Sequence, residues 1–205
     1  MNISARIGRT PAFAAFAAAF ALCASGCGDK GAESETWTGA FESVNIGGKV
    51  WMAKNLNHEA GNSWCYRDDS GYCEKYGRLY DWNTAKKVCP SGWRLPTVKD
   101  WDDLAAAASA DPYEAGTKLK TKSGWAECNG FNGNGTDDGG FSALPGGTRF
   151  SDGGYGGTSA DGYWWTAEEK DSVFAYYRNM TCKHGRVVAS DERKVRGHSV
   201  RCVKN

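Results

Sequence analysis

The chain has 205 residues, with 25 basic and 24 acidic side chains and a formal net charge of +1. That balance excludes the basic stripe of a nucleic-acid binder and the acidic block of a solvating tail. Hydrophobic residues make up 40% and aromatics 13%; this is too much for a disordered polymer and enough for one packed domain.

The first elements concern export. Arg6 and Arg9 give a positive start, no acid precedes Asp29, and residues 12–22 form an apolar run. The run is about half of the ~20 residues that a bilayer-crossing helix needs, so residues 1–26 read as a signal peptide and not as a span. Ala24-Ser25-Gly26-Cys27 sets small residues before a cysteine and is similar to a bacterial lipobox, with Ala24 where Leu is usual. On that reading Cys27 is lipidated, the lipid anchor is the sole membrane contact, and the protein belongs to the cell envelope, at the outer membrane or cell surface. Ordinary cleavage near residues 24–26, giving a soluble secreted protein, is the alternative. Residues 27–39 are small and polar and serve as a flexible tether. Residues 40–205 form the domain.

Within it, residues 41–56 read as a hairpin, with apolar residues alternating on either side of Gly47-Gly48. Cys65 and Cys73 flank a Gly- and Asp-rich turn and pair plausibly with each other. Residues 77–80 form a short strand, and residues 82–89 a helix ended by Pro90. Thr97 opens a second helix, with Asp100 as its capping-box partner and Trp101, Leu104, Ala105 and Ala108 on one face. After residue 110, glycines interleave with aromatics, which argues for long ordered loops. Short strands are expected at residues 141–144, 162–166, 174–179, 187–190 and 199–203. Two early helices followed by short antiparallel strands describe an α+β domain.

Cys65, Cys73, Cys89, Cys128, Cys182 and Cys202 are an even set in an exported chain and imply three disulfides. Zinc is the alternative, but no C-x2-C pair occurs and His58, His184 and His198 are scattered.

Cys89-Pro90-Ser91-Gly92-Trp93-Arg94-Leu95-Pro96-Thr97, Tyr76-Gly77-Arg78-Leu79-Tyr80, Gly140-Phe141-Ser142-Ala143-Leu144-Pro145-Gly146-Gly147, Tyr163-Trp164-Trp165-Thr166-Ala167 and Val200-Arg201-Cys202-Val203 are the distinctive segments of the chain. Together they resemble the Fibrobacter succinogenes major paralogous domain family and, more distantly, the C-type lectin-like fold of the formylglycine-generating enzyme group. The resemblance implies a disulfide-stapled lectin-like domain in which the end of the first helix is tied to the last strand, here Cys89 to Cys202. With Cys65 and Cys73 joined, Cys128 and Cys182 are left as partners.

No catalytic residues emerge. There is no Ser-His-Asp order, phosphate loop or H-E-x-x-H helix, and the adjacent carboxylates at Asp68-Asp69, Asp102-Asp103, Asp137-Asp138 and Glu168-Glu169 are a weak pattern for glycosidase chemistry. Asn134, Asp137 and Asp138, with Thr136, offer hard oxygen ligands for Ca²⁺, although residues of these types also build turns. The Glu-Pro-Asn and Trp-Asn-Asp motifs of sugar-binding C-type lectins are missing. Trp51, Trp82, Trp93 and Trp101 fit core positions. Strand alternation lets one of Trp164 and Trp165 be buried and turns the other outward. Trp125, Arg149, Tyr155, Trp165 and Tyr177 are therefore the ligand-binding candidates, on loops that a stable scaffold holds. The reading is an envelope-anchored binding module for a polysaccharide or a surface protein. The alternatives are a structural surface protein without a small ligand and an oxidoreductase of the formylglycine-generating type.

Overall fold

The computed structural model describes residues 41–205; the expected signal peptide, lipidation site Cys27 and tether lie outside them. Among the described residues there are four α-helices, α1 Ser70–Tyr76, α2 Trp82–Val88, α3 Val98–Ala108 and α4 Ala115–Leu119, and a 3-10 turn at Tyr66–Asp68. The strands are β1 Ser43–Ile46, β2 Lys49–Met52, β3 Ser63–Trp64, β4 Leu79–Tyr80, β5 Trp93–Arg94, β6 Glu127–Cys128, β7 Phe131–Asn132, β8 Thr148–Arg149, β9 Tyr155–Gly156, β10 Asp161–Glu169, β11 Phe174–Thr181, β12 Val188–Arg193, β13 His198–Ser199 and β14 Val203–Lys204. One sheet runs β1-β2-β14-β5 and a larger one β12-β11-β10-β13-β4-β3, with β6–β7 and β8–β9 as separate ribbons. This is an α+β domain of small, mainly antiparallel sheets.

The β1–β2 hairpin turns at Gly47 and Gly48, whose φ values of +62° and +76° suit a tight turn that β-carbon-bearing residues resist. Its second strand pairs with β14 through Trp51 and Val203, so the opening hairpin and the last strand of the domain lie side by side. α3 carries the expected capping box, with reciprocal bonds between Thr97 and Asp100. Asp100 also accepts from Lys49 at 2.6 Å and Arg94 at 2.5 Å. Burial works to raise this carboxyl, but the Arg94, Lys49 and Thr97 bonds outweigh it and hold the group well below the usual carboxylate range.

Two helices were not expected. In α1, Asp69 caps Gly71 N at 2.8 Å inside the turn that Cys65 and Cys73 close. α4 is five residues long and depends on tertiary support, since Gly116 N and Thr117 N both donate to Gly185 O. Residues 141–144 do not form the expected strand and offer a single bridge, from Ala143 to Lys120. Residues 199–203 pass from β13 in the larger sheet to β14 in the smaller one, with Val200 O and Cys202 O accepting from Leu56 N and Met52 N.

β10 has apolar material on both faces, which corrects the expectation for its tryptophans. Trp164 points into a cluster with Trp51, Trp101 and Phe141, where ring centroids lie 5.4–5.8 Å apart. Trp165 points the other way, into a cluster with Trp82, Ala85 and Val88 of α2, and donates to Tyr80 O at 2.8 Å. Both are fully buried; alternation separated them, and helices on the two sides covered both. Trp125 is also core, donating Nε1 to Ala143 O at 3.0 Å.

Three disulfides join Cys65–Cys73, Cys89–Cys202 and Cys128–Cys182, with Cα separations of 5.0, 5.9 and 5.6 Å. Every cysteine among the described residues is bridged. Among the described residues, two fully buried cations, Arg201 and Lys120, complete the interior. Arg201 stacks on Phe141 and donates to Asn55 Oδ1 and to the carbonyls of Met52, Phe141 and Ser142. Lys120 donates to the carbonyls of Thr181 and His184, and burial pushes its pKa down to about 8.

Candidate recognition surface

The paired carboxylates are spent on local structure. Asp102 meets Arg178 at 2.7 Å, Glu168 accepts from Val98 N at the start of α3 at 2.8 Å, and Glu169 meets Lys194 at 2.5 Å. The oxygens expected for Ca²⁺ are likewise taken. Asn134 Oδ1 accepts from Trp125 N at 3.0 Å, and Asp137 accepts from Ser142 N at 2.7 Å and Ser142 Oγ at 2.6 Å. Asp138 lies 2.9 Å from Lys118 Nζ, and that bond lowers its pKa. An ammonium at that distance repels a second cation, and the oxygens of this loop serve its own turns. Among the described residues, no group of three or more His, Cys, Asp and Glu side chains could hold a metal ion.

Of the five aromatic and arginine candidates, Trp125 and Trp165 offer no face to a ligand because they are buried. Tyr177 is half-buried and packs with Tyr163 at 5.8 Å and His198 at 5.0 Å on the α2 face of the larger sheet. Arg149 and Tyr155 stand directly opposite each other on β8 and β9. The hairpin between them closes through Phe150 N to Gly154 O at 2.7 Å and Gly153 N to Phe150 O at 3.1 Å.

This hairpin meets a second loop that sequence reasoning passed over. The Cys65–Cys73 disulfide closes a segment carrying Tyr66, Arg67, Asp68 and Tyr72. Tyr66 lies 5.1 Å from Tyr72 and 5.2 Å from Tyr155. Tyr155 donates its hydroxyl to Asp68 Oδ1 at 2.8 Å, which ties the two loops together. Burial and that bond both raise the Tyr155 pKa, so the hydroxyl stays a donor at neutral pH. Arg149 lies over Trp64, its guanidinium carbon 4.1 Å from the ring centroid, and 6.0 Å from the Tyr155 ring. Beneath them Gly197 leaves no room: an added Cβ would stand 2.9 Å from Arg149 Cβ and 3.4 Å from Trp64.

Arg67 and Asp68 have φ values of +56° and +57°. Left-handed backbone at a residue with a β-carbon costs on the order of 1 kcal/mol or more, and it persists only where surrounding structure enforces it. Here the enforcers are the disulfide on either side and the Tyr155 bond. The short Cys65–Cys73 spacing around two tyrosines was the available signal for this half of the surface. Depressions of about 310 Å³ between α3 and α4 and about 420 Å³ beside α2 lie elsewhere and are lined by alanines and by short polar residues. The two-loop surface is thus a shallow aromatic face on a rigid support.

An α+β domain cross-braced by three disulfides is of the class that persists in oxidising, extracytoplasmic compartments. No helix among the described residues is long and apolar enough to cross a membrane. The chain belongs to the Fibrobacter succinogenes major domain family, whose sequence profile matches residues 44–204. No curated protein and no solved structure matches it.

Proposed function

We propose that this chain is a recognition module, anchored to the cell envelope through Cys27, with a C-type lectin-like domain that binds carbohydrate. The observation that carries the reading is the hydrogen bond from Tyr155 to Asp68, which locks a strained disulfide loop and a hairpin into one face of Trp64, Arg149, Tyr72 and Tyr155 above the buried Tyr66. Flat, preorganised aromatic faces stack on sugar rings at little entropic cost. Bridging of every described cysteine weighs against a thiol-based oxidoreductase. The lectin-like assignment draws support from the pairing of the opening hairpin with the last strand and from the Cys89–Cys202 bond at the end of α2.

Retention of the full chain on a panel of immobilised plant and microbial polysaccharides tests this. At least one glycan retains the wild type, and Tyr155→Ala, whose thermal midpoint shifts little, is washed through. A panel that retains nothing would sink carbohydrate binding in favour of a protein-facing surface. Retention of Tyr155→Ala at wild-type strength would move the site elsewhere.

A further inference from the structure

Four of the nine arginines among the described residues meet acids. Arg78 lies 3.2 Å from Glu59, Arg94 2.5 Å from Asp100, Arg178 2.7 Å from Asp102 and Arg196 3.2 Å from Glu192. The two arginines of the recognition surface are not among them. Neither Arg67 nor Arg149 has an ion-pair partner among the described residues, and each lies over an aromatic ring: Arg67 5.8 Å from the centre of Tyr66, Arg149 4.1 Å from that of Trp64. Arg149 Nε is sealed from water without an acceptor. A guanidinium stripped of part of its hydration and fixed in orientation by stacking is primed for a carboxylate, which it can grip with two parallel bonds.

The acids nearby make their hydrogen bonds to neutral donors and form no ion pair with either arginine. Asp68 accepts from the Tyr155 hydroxyl at 2.8 Å, and Asp152 accepts from Gly154 N at 2.9 Å across its own turn. Resting on the carbohydrate reading above, we propose that this face binds a carboxylated glycan, a polymer of uronic acid residues. The Tyr72 and Tyr155 rings take the sugar faces, and Arg149 and Arg67 take carboxylates. A neutral glycan would satisfy the rings and leave both guanidiniums without a carboxylate partner. An acidic peptide would satisfy the cations and leave the rings without a flat partner.

The probes are polygalacturonate, its methyl ester and polyglutamate, titrated calorimetrically into the full chain. Polygalacturonate binds at least about tenfold more tightly than the ester, as one charge-assisted hydrogen-bonded pair requires, and the difference shrinks as salt rises. Arg149→Gln and Arg67→Gln each erode that preference, while Arg149→Lys keeps part of it. Arg67 is exposed, so its variant reports even if changes at the half-buried Arg149 disturb folding. Equal binding of acid and ester, with both lost in Tyr155→Ala, overturns the carboxylate proposal and leaves carbohydrate recognition standing. Polyglutamate binding as well as polygalacturonate overturns the glycan in favour of an acidic peptide. Failure of polygalacturonate to bind, with a neutral glycan retained on the wider panel, overturns the proposal alone; failure on every glycan overturns both readings.

Discussion

His198 shows how a residue with obvious chemical potential is spent on structure. It is buried against Tyr163, Trp165 and Tyr177 with ring centroids 5.2, 4.3 and 5.0 Å away. Nδ1 lies 2.9 Å from Thr148 Oγ1 and 3.0 Å from Gly197 O, while Nε2 is buried without a partner. We assign the proton to Nδ1, because a buried lone pair without a donor costs less than a buried N–H without an acceptor. Burial pushes the pKa down to about 3. Unfolded, the ring titrates near 6.5, so between about pH 6.5 and 3 the unfolded chain binds a proton that the native state refuses. Stability is therefore full above that window and falls as pH drops through it, by about 2 kcal/mol at pH 5. Burial lowers His184 as well, which acts in the same direction. Urea midpoints at pH 7 and pH 5 measure the loss, and the ¹⁵N shifts of His198 stay those of a neutral ring at pH 5. A His198 ring that protonates near pH 6.5 in the folded protein would contradict the account. None of this was legible in the sequence, where His198 is one of three scattered histidines. Arg201 was equally opaque: a charged side chain is expected outside, and only the ring of carbonyls around it explains its burial.

Elements whose signal is local could be read directly. The glycine turn of the first hairpin, the helix stopped by Pro90 and the Thr97–Asp100 capping box each depend on a few neighbouring residues. α4 could not be read that way, because the Gly185 carbonyl that fixes its first turn is far along the chain. The loop closed by Cys65 and Cys73 was legible as a disulfide but not as half of a binding face, since Asp68 and its partner Tyr155 are 87 residues apart. That loop is also mechanically separable. It contributes Tyr66 and Cys73 to the interior but no member of either large apolar cluster. The Cys65→Ser/Cys73→Ser double variant should then cost about 2–3 kcal/mol, the chain-entropy value for so short a loop, and still fold cooperatively. Binding falls much further than stability, because only the Tyr155 bond and the turn's own backbone bonds, Asp68 N to Cys65 O and Asp69 N to Tyr66 O, then hold Arg67 and Asp68 left-handed. A variant that binds glycan at wild-type strength would show that the strain does not matter to recognition.

At the scale of the molecule, the two apolar clusters meet across β10, and the chain enters and leaves through the same smaller sheet. The composition announced a core of this size, yet not its division, because placing Trp164 and Trp165 in different clusters requires knowing what covers each face of the strand. Cys89–Cys202 joins residues 113 apart in the chain and anchors the end of α2 to the segment that crosses between the sheets. Its effect on the unfolded chain is accordingly the larger, about 5 kcal/mol in the same entropic treatment. That is comparable to the whole stability of a small domain. The Cys89→Ser/Cys202→Ser variant should lose protection from hydrogen exchange throughout β2, β10, β11 and β14 together, as global opening becomes accessible. Removal of Cys65–Cys73 should raise exchange in α1 and the β8–β9 ribbon alone. If the two variants give the same exchange map, the domain opens as a single unit, and the recognition loops are no more independent of the core than the strands that carry them.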